Sequence, residues 1–139
     1  MVNTPIYIAA SLLALFSMVA IASSGNLSVF AQNTTTASSS DAVNVSIVTG
    51  ASTLTDKAFS PNPVEVKVGQ KVIWTNDDTL QHTVTSGSAG SPDSGKEFDS
   101  GLTKLLNKGD TFEYTFTTAG EFPYYCQLHP NQVGTVIVK

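Results

Sequence analysis

Charge is missing from the first 40 residues. All 11 acidic and 7 basic side chains, the latter all lysines, fall between Asp41 and Lys139 and leave a net charge of −4. That mild acidity carries no sign of nucleic-acid binding. Cysteine is nearly missing as well: one thiol, Cys126, excludes a disulfide within the chain, although exported domains of this size often rely on them. Methionine occurs only at Met1 and Met18 and histidine only at His82 and His129. Cysteine and histidine together therefore number three, short of the four ligands of a structural zinc site.

Within the uncharged leader, Ile6 to Ala22 is an almost unbroken apolar run, longer than an ordinary signal core and slightly short of the about 20 residues that span a bilayer. The "VFAQ" that follows offers small or modest residues for cleavage after Ala31. Residues 1–31 read as an export signal or as an uncleaved N-terminal membrane anchor. Residues 32–42, with "NTTTASSS", are too polar to bury anything and read as a flexible linker. Either reading puts the remaining 43–139, long enough for one hydrophobic core, outside the cytoplasm.

From Val43 onward the apolar period is two and the breakers come at short intervals, the pattern of an all-β sandwich of seven to eight strands. "VNVSIV" alternates Val43, Val45 and Ile47 with polar neighbours. "PNPVEVKVGQKVIWTN" sets Val64, Val66 and Val68 on one face, turns at Gly69-Gln70 and resumes with Val72 and Trp74, which predicts a hairpin. "TFEYTF" alternates Phe112, Tyr114 and Phe116, and on the next strand Phe122, Tyr124 and Cys126 share an inward face. Between Ser86 and Asp110 the periodicity fails, so that stretch reads as loop with a short helical turn near Leu102 to Leu106.

The chemistry-bearing residues converge on one kind of site. His82 follows the polar bend "NDDTLQ", Cys126 ends a late strand, and His129 lies three residues on, in the loop before the last strand. A thiolate with two imidazoles is the ligand set of a trigonal type 1 copper site completed by a weak axial group. Two histidines cannot build a further copper centre, which excludes multicopper catalysis within this chain.

From Phe59 to Lys139 the stretches "FSPNPVEVKVGQKVIWTNDDTLQHTV", "FDSG", "GDTFEYTFTTAGEFPYYCQLHP" and "GTVIVK" resemble the cupredoxins, the small blue copper proteins, and most of all their plastocyanin/amicyanin branch. The resemblance implies a Greek-key β-sandwich holding one copper ion near one end, with one-electron transfer as its function. It implies His82, Cys126 and His129 as equatorial ligands, and Asn76 and Thr83 as residues that tie the ligand loops together. The axial ligand departs from the family pattern. Relatives with the short loop look like Cys-x2-His-x2-Met, and Gln132 stands at the Met position here. Either the Gln132 amide oxygen takes the axial place or that place is open to water or a small ligand. The first favours an electron carrier whose redox partners dock near His129. The second admits redox chemistry on nitric oxide or nitrite, and copper storage or delivery is a further alternative on the same fold.

Overall fold

A computed structural model describes residues 41–139. The leader, 1–31, and nearly all of the linker, 32–42, lie outside the described residues. Eight strands follow: β1 (Val43–Ile47), β2 (Phe59–Ser60), β3 (Val64–Val66), β4 (Lys71–Asn76), β5 (Thr85–Ser86), β6 (Thr111–Thr115), β7 (Gly120–Tyr125) and β8 (Val133–Val138). They form two four-stranded sheets, ordered β2-β1-β4-β6 and β3-β8-β7-β5. β1 runs parallel to β4 and β3 parallel to β8, and the other pairings are antiparallel.

The period-two pattern does what side-chain alternation requires. In β4, Val72, Trp74 and Asn76 are buried while the residues between them are partly exposed. In β8, Gly134, Val136 and Val138 point inward in the same way. The inner faces meet around Trp74, whose indole stacks on Phe98 at 5.6 Å and meets the Tyr124 ring edge-on at 5.5 Å between centroids. Such offset and edge-to-face contacts are the favoured aromatic geometries.

Two local expectations are corrected. The Gly69-Gln70 turn exists, with Gly69 at φ +89°, but its flanking strands do not pair with each other. β3 pairs with β8 and β4 pairs with β1 and β6, so the turn carries the chain from one sheet to the other. Val68 marks the crossing: it is 50% exposed, unlike Val64 and Val66, and its N–H bonds to Lys139 O. Nor is there a helical turn at Leu102 to Leu106. Leu106 spends its backbone groups on His82, exchanging both N–H···O bonds with it at 3.0 and 3.2 Å, which leaves none for a helix. Among the described residues, the one helical segment is a 3-10 turn at Ala51–Thr53.

Register places the interesting residues at one end. The β5–β7 pairing, Thr85 opposite Tyr125, continues in the same sense to set Thr83 opposite Gln127, where its N–H reaches Cys126 Sγ. The β7–β8 ladder ends with Tyr125 opposite Val133, and one step further Cys126 N–H bonds to Gln132 O at 3.2 Å. Gln132 is thus the next inward position after Val136 and Gly134. At Gly134 a side chain is forbidden by contact, because an added Cβ would run into the Tyr124 ring, with Cε1 at 2.8 Å. Gly134→Ala should therefore push Tyr124 off its core position and cost about 1–3 kcal/mol of stability, read as a fall in thermal midpoint of roughly 4–8 °C per kcal/mol. An unchanged midpoint would mean that the β7–β8 contact is looser than described.

Candidate metal centre

The site is built from two loops, the first of them held by one asparagine. Asn76, fully buried at the end of β4, donates from Nδ2 to Leu80 O at 2.7 Å and Leu106 O at 2.8 Å, and its Oδ1 accepts the Asp78 N–H at 2.9 Å. It thereby shapes the 77–81 bend and fixes the segment that pairs with His82. The second loop is closed by its own backbone: His129 N–H bonds to Cys126 O at 3.2 Å and Gln132 N–H to His129 O at 2.8 Å. That tight turn faces Cys126, His129 and Gln132 toward one point.

His82 Nδ1 lies 3.7 Å and His129 Nδ1 3.6 Å from Cys126 Sγ. One donor atom from each of the three residues falls within 4.8 Å of the other two. His82, Cys126 and Gln132 are fully buried and His129 is half-buried. Gln132 Oε1 sits 3.0 Å from His82 Nδ1, while its Nε2 is buried without a partner. Thr83 stands behind the sulfur, its N–H donating to Cys126 Sγ at 3.3 Å and its hydroxyl accepting the Gln127 N–H at 2.8 Å. His82, Cys126, His129 and Gln132 are therefore gathered in one place, with Asn76 and Thr83 beside them.

One further residue belongs here that the sequence reading passed over. Asp78 is 2% exposed, and its Oδ2 lies 2.9 Å from His82 Nε2. Its Oδ1 accepts the N–H groups of Gly50 at 3.1 Å and Thr79 at 2.7 Å. Burial pushes the Asp78 carboxyl up, but the bonds from Gly50, His82 and Thr79 outweigh it and hold the group at about 2. An ionised carboxylate only accepts, so the proton in this contact sits on His82 Nε2. The signal available in sequence was an acid four residues before a histidine, within a bend whose composition looks solvated.

That proton placement decides what the pocket can hold. With Nε2 protonated, Nδ1 presents a lone pair to Cys126 Sγ and to the Gln132 amide oxygen, so three acceptors face each other in a dry space. A positive charge between them relieves the conflict. Burial lowers the His82 pKa, but Cys126, Asp78 and Gln132 together raise it above its ordinary value, so the pocket favours positive charge, carried by a proton on Nδ1 or by a metal ion in its place. Burial likewise raises the Cys126 thiol, and the bonds from His82, Thr83 and His129 bring it down to about 6. A thiolate, two imidazoles and a weak amide oxygen suit copper.

A carboxylate that fixes the far nitrogen of a metal-binding imidazole sets its tautomer and raises its basicity. Asp78→Asn keeps the shape and removes the charge, so copper affinity measured by chelator competition should fall about 10- to 100-fold. Wild-type affinity in that variant would show that the Asp78 contact does not bear on the metal.

Residues 43–139 match the family described as copper binding proteins, plastocyanin/azurin family. Amicyanin from Paracoccus versutus is 31% identical over 78 residues, which cover 55% of this chain and 54% of that protein. The chloroplastic plastocyanin of Tetradesmus obliquus is 34% identical over 85 residues, covering 58% of each. The chain thus spans a little over half the length of these two curated relatives. Among solved structures, a novel purple cupredoxin from Nitrosopumilus maritimus is similar with a TM-score of 0.57 and 34% identity, over 70% of this chain and 99% of that one. The family match takes in every strand from β1 to β8 and the whole loop from Cys126 to Gln132, and the chain belongs to the plastocyanin/azurin family of copper binding proteins.

Proposed function

We propose that this protein is a one-electron carrier working outside the cytoplasm, with His82, Cys126 and His129 as copper ligands and the Gln132 amide oxygen on the axial side. The observation that carries the reading is the convergence of the three donor atoms within 4.8 Å at one end of the sandwich, with His129 alone half-buried. Bound copper supplies a Cu(II)/Cu(I) couple.

The chain's own residues do the rest. Cys126 enters as thiolate, already favoured near neutral pH, and Asp78 keeps His82 in the tautomer whose Nδ1 is free. The Asn76 and loop hydrogen bonds hold these groups in place whichever charge the site carries, so little atomic rearrangement accompanies an electron's arrival. His129 is flanked by Leu128 and Pro130, both exposed, which gives the imidazole edge an apolar rim suited to brief docking of a redox protein. The amicyanin and plastocyanin relatives support this reading, and so does the apolar leader at residues 1–31. The full burial of Gln132 against His82 favours the carrier over nitric oxide or nitrite chemistry, which needs an open copper face.

Potentiometric titration of the copper-loaded protein tests this. A carrier with an amide axial donor should titrate reversibly as a one-electron couple. Gln132→Met should raise its potential, because a thioether favours Cu(I) more than an amide oxygen does, with each tenfold change in the redox equilibrium worth about 59 mV. An unchanged potential would remove Gln132 from the copper. A wild-type spectrum altered by azide or nitric oxide would move the reading to small-molecule chemistry.

A further inference from the structure

The "FDSG" stretch, Phe98 to Gly101, is not used by the electron-carrier reading, yet it clamps the segment that follows His82. Phe98 enters the core against Trp74, and Ser100 Oγ accepts the Val84 N–H at 2.9 Å. Asp99 pairs with Thr85 across an isolated bridge. Its Oδ1 accepts the Thr85 hydroxyl at 2.8 Å and the Gly101 N–H at 2.9 Å, and Gln127 Nε2 approaches its two oxygens at 3.3 and 3.2 Å. The Thr85 hydroxyl in turn lies 3.2 Å from that of Thr83, whose oxygen is 4.0 Å from Cys126 Sγ. Thr83 and Thr85 are fully buried, whereas Asp99 is exposed.

Donor counting fixes the direction of this chain. A hydroxyl has one proton to give, and a carboxylate only accepts. Thr85 gives its proton to Asp99, so at the Thr83–Thr85 contact Thr85 must be the acceptor and Thr83 the donor. Thr83 then has no proton left for the sulfur, and its long 4.0 Å separation from Sγ is consistent with that. The backbone N–H of Thr83 donates to Sγ at 3.3 Å, while its hydroxyl stands off at 4.0 Å.

We propose that Asp99 is a positioning residue for the redox centre: through Thr85 it holds the Thr83 hydroxyl proton away from Cys126 Sγ and so keeps the reduction potential low. The proposal rests on the reading of Cys126 as the copper thiolate. A hydrogen bond to the sulfur withdraws electron density from the thiolate, weakens its donation to Cu(II) and raises the potential, one of the recognised levers at such sites. A surface carboxylate thereby sets the charge donation of a buried sulfur through two intervening hydroxyls, without touching any ligand.

Potentials of copper-loaded variants of the full chain test the relay. Thr85→Val removes the acceptor, leaves Thr83 free to donate to sulfur, and should shift the redox equilibrium toward the reduced state about tenfold, or about 59 mV. Its visible thiolate band should move to higher energy. Asp99→Ala, which removes no buried side chain, should act in the same direction by releasing the Thr85 proton. Asp99→Asn keeps an acceptor oxygen while losing the charge, and should shift the potential less than Asp99→Ala. In a Thr83→Val background, Thr85→Val should produce no further shift, a cycle that isolates the hydroxyl's part. The relay is overturned if Thr85→Val leaves the potential unchanged with its visible band intact. It is equally overturned if that shift persists without the Thr83 hydroxyl, or if Asp99→Asn shifts the potential as far as Asp99→Ala. A wild-type protein with no intense thiolate-to-copper band would instead overturn the reading of Cys126 on which the relay rests.

Discussion

The hydrogen bond from His82 Nε2 to Asp78, 2.9 Å long and buried on both sides, governs the character of the site. It commits the imidazole's proton to the side away from the pocket, so that Nδ1, Cys126 Sγ and Gln132 Oε1 confront each other as acceptors. Asp78 can be buried as an anion because Gly50 and Thr79 satisfy its other oxygen. Asn76 shapes the bend that delivers it, through its bonds to Leu80, Leu106 and the Asp78 N–H. The same bend therefore places the acid, presents the histidine and ties the Leu106 segment down.

Around that constraint the fold acts as a frame. The two sheets lock over Trp74, Tyr124 and Phe98, and the ligand-bearing loops leave the same end of the sandwich. Backbone N–H groups of Thr83, Gln127 and Cys126 are all used within or between those loops. A site whose polar groups are bonded to rigid strands keeps its geometry with little reorganisation, which is what rapid one-electron exchange needs. The half-buried His129 and its exposed neighbours leave one edge accessible.

Much of this was legible in sequence because strands alternate. Val45 and Ile47, Val72 and Trp74, and Tyr124 and Cys126 fall inward by parity alone, and the family resemblance in "GEFPYYCQLHP" implied the ligand set. Parity also applies to Gln132, which shares its face with Gly134, Val136 and Val138. The pattern around Gly69-Gln70 does not separate a hairpin from a change of sheet, because a turn between two alternating strands looks alike in both; the β3–β8 and β4–β6 pairings make the difference. Asp78 was invisible because acids in polar bends are ordinarily solvated, and its burial depends on N–H groups from Gly50 and Thr79, one of them 28 residues away. The Asp99–Thr85–Thr83 chain joins residues whose proximity follows from pairing, not from spacing.

The copper reading depends above all on Cys126, held with two imidazoles, bonding as a thiolate to a single copper ion. Visible absorption of the copper-loaded chain beside Cys126→Ser addresses it most directly. The oxidised wild type should show an intense thiolate-to-copper band, bleached on reduction and absent from the serine variant, whose fold persists because the core lies in the valine and aromatic faces. A wild type without the band, or a serine variant that retains it, would take Cys126 off the copper.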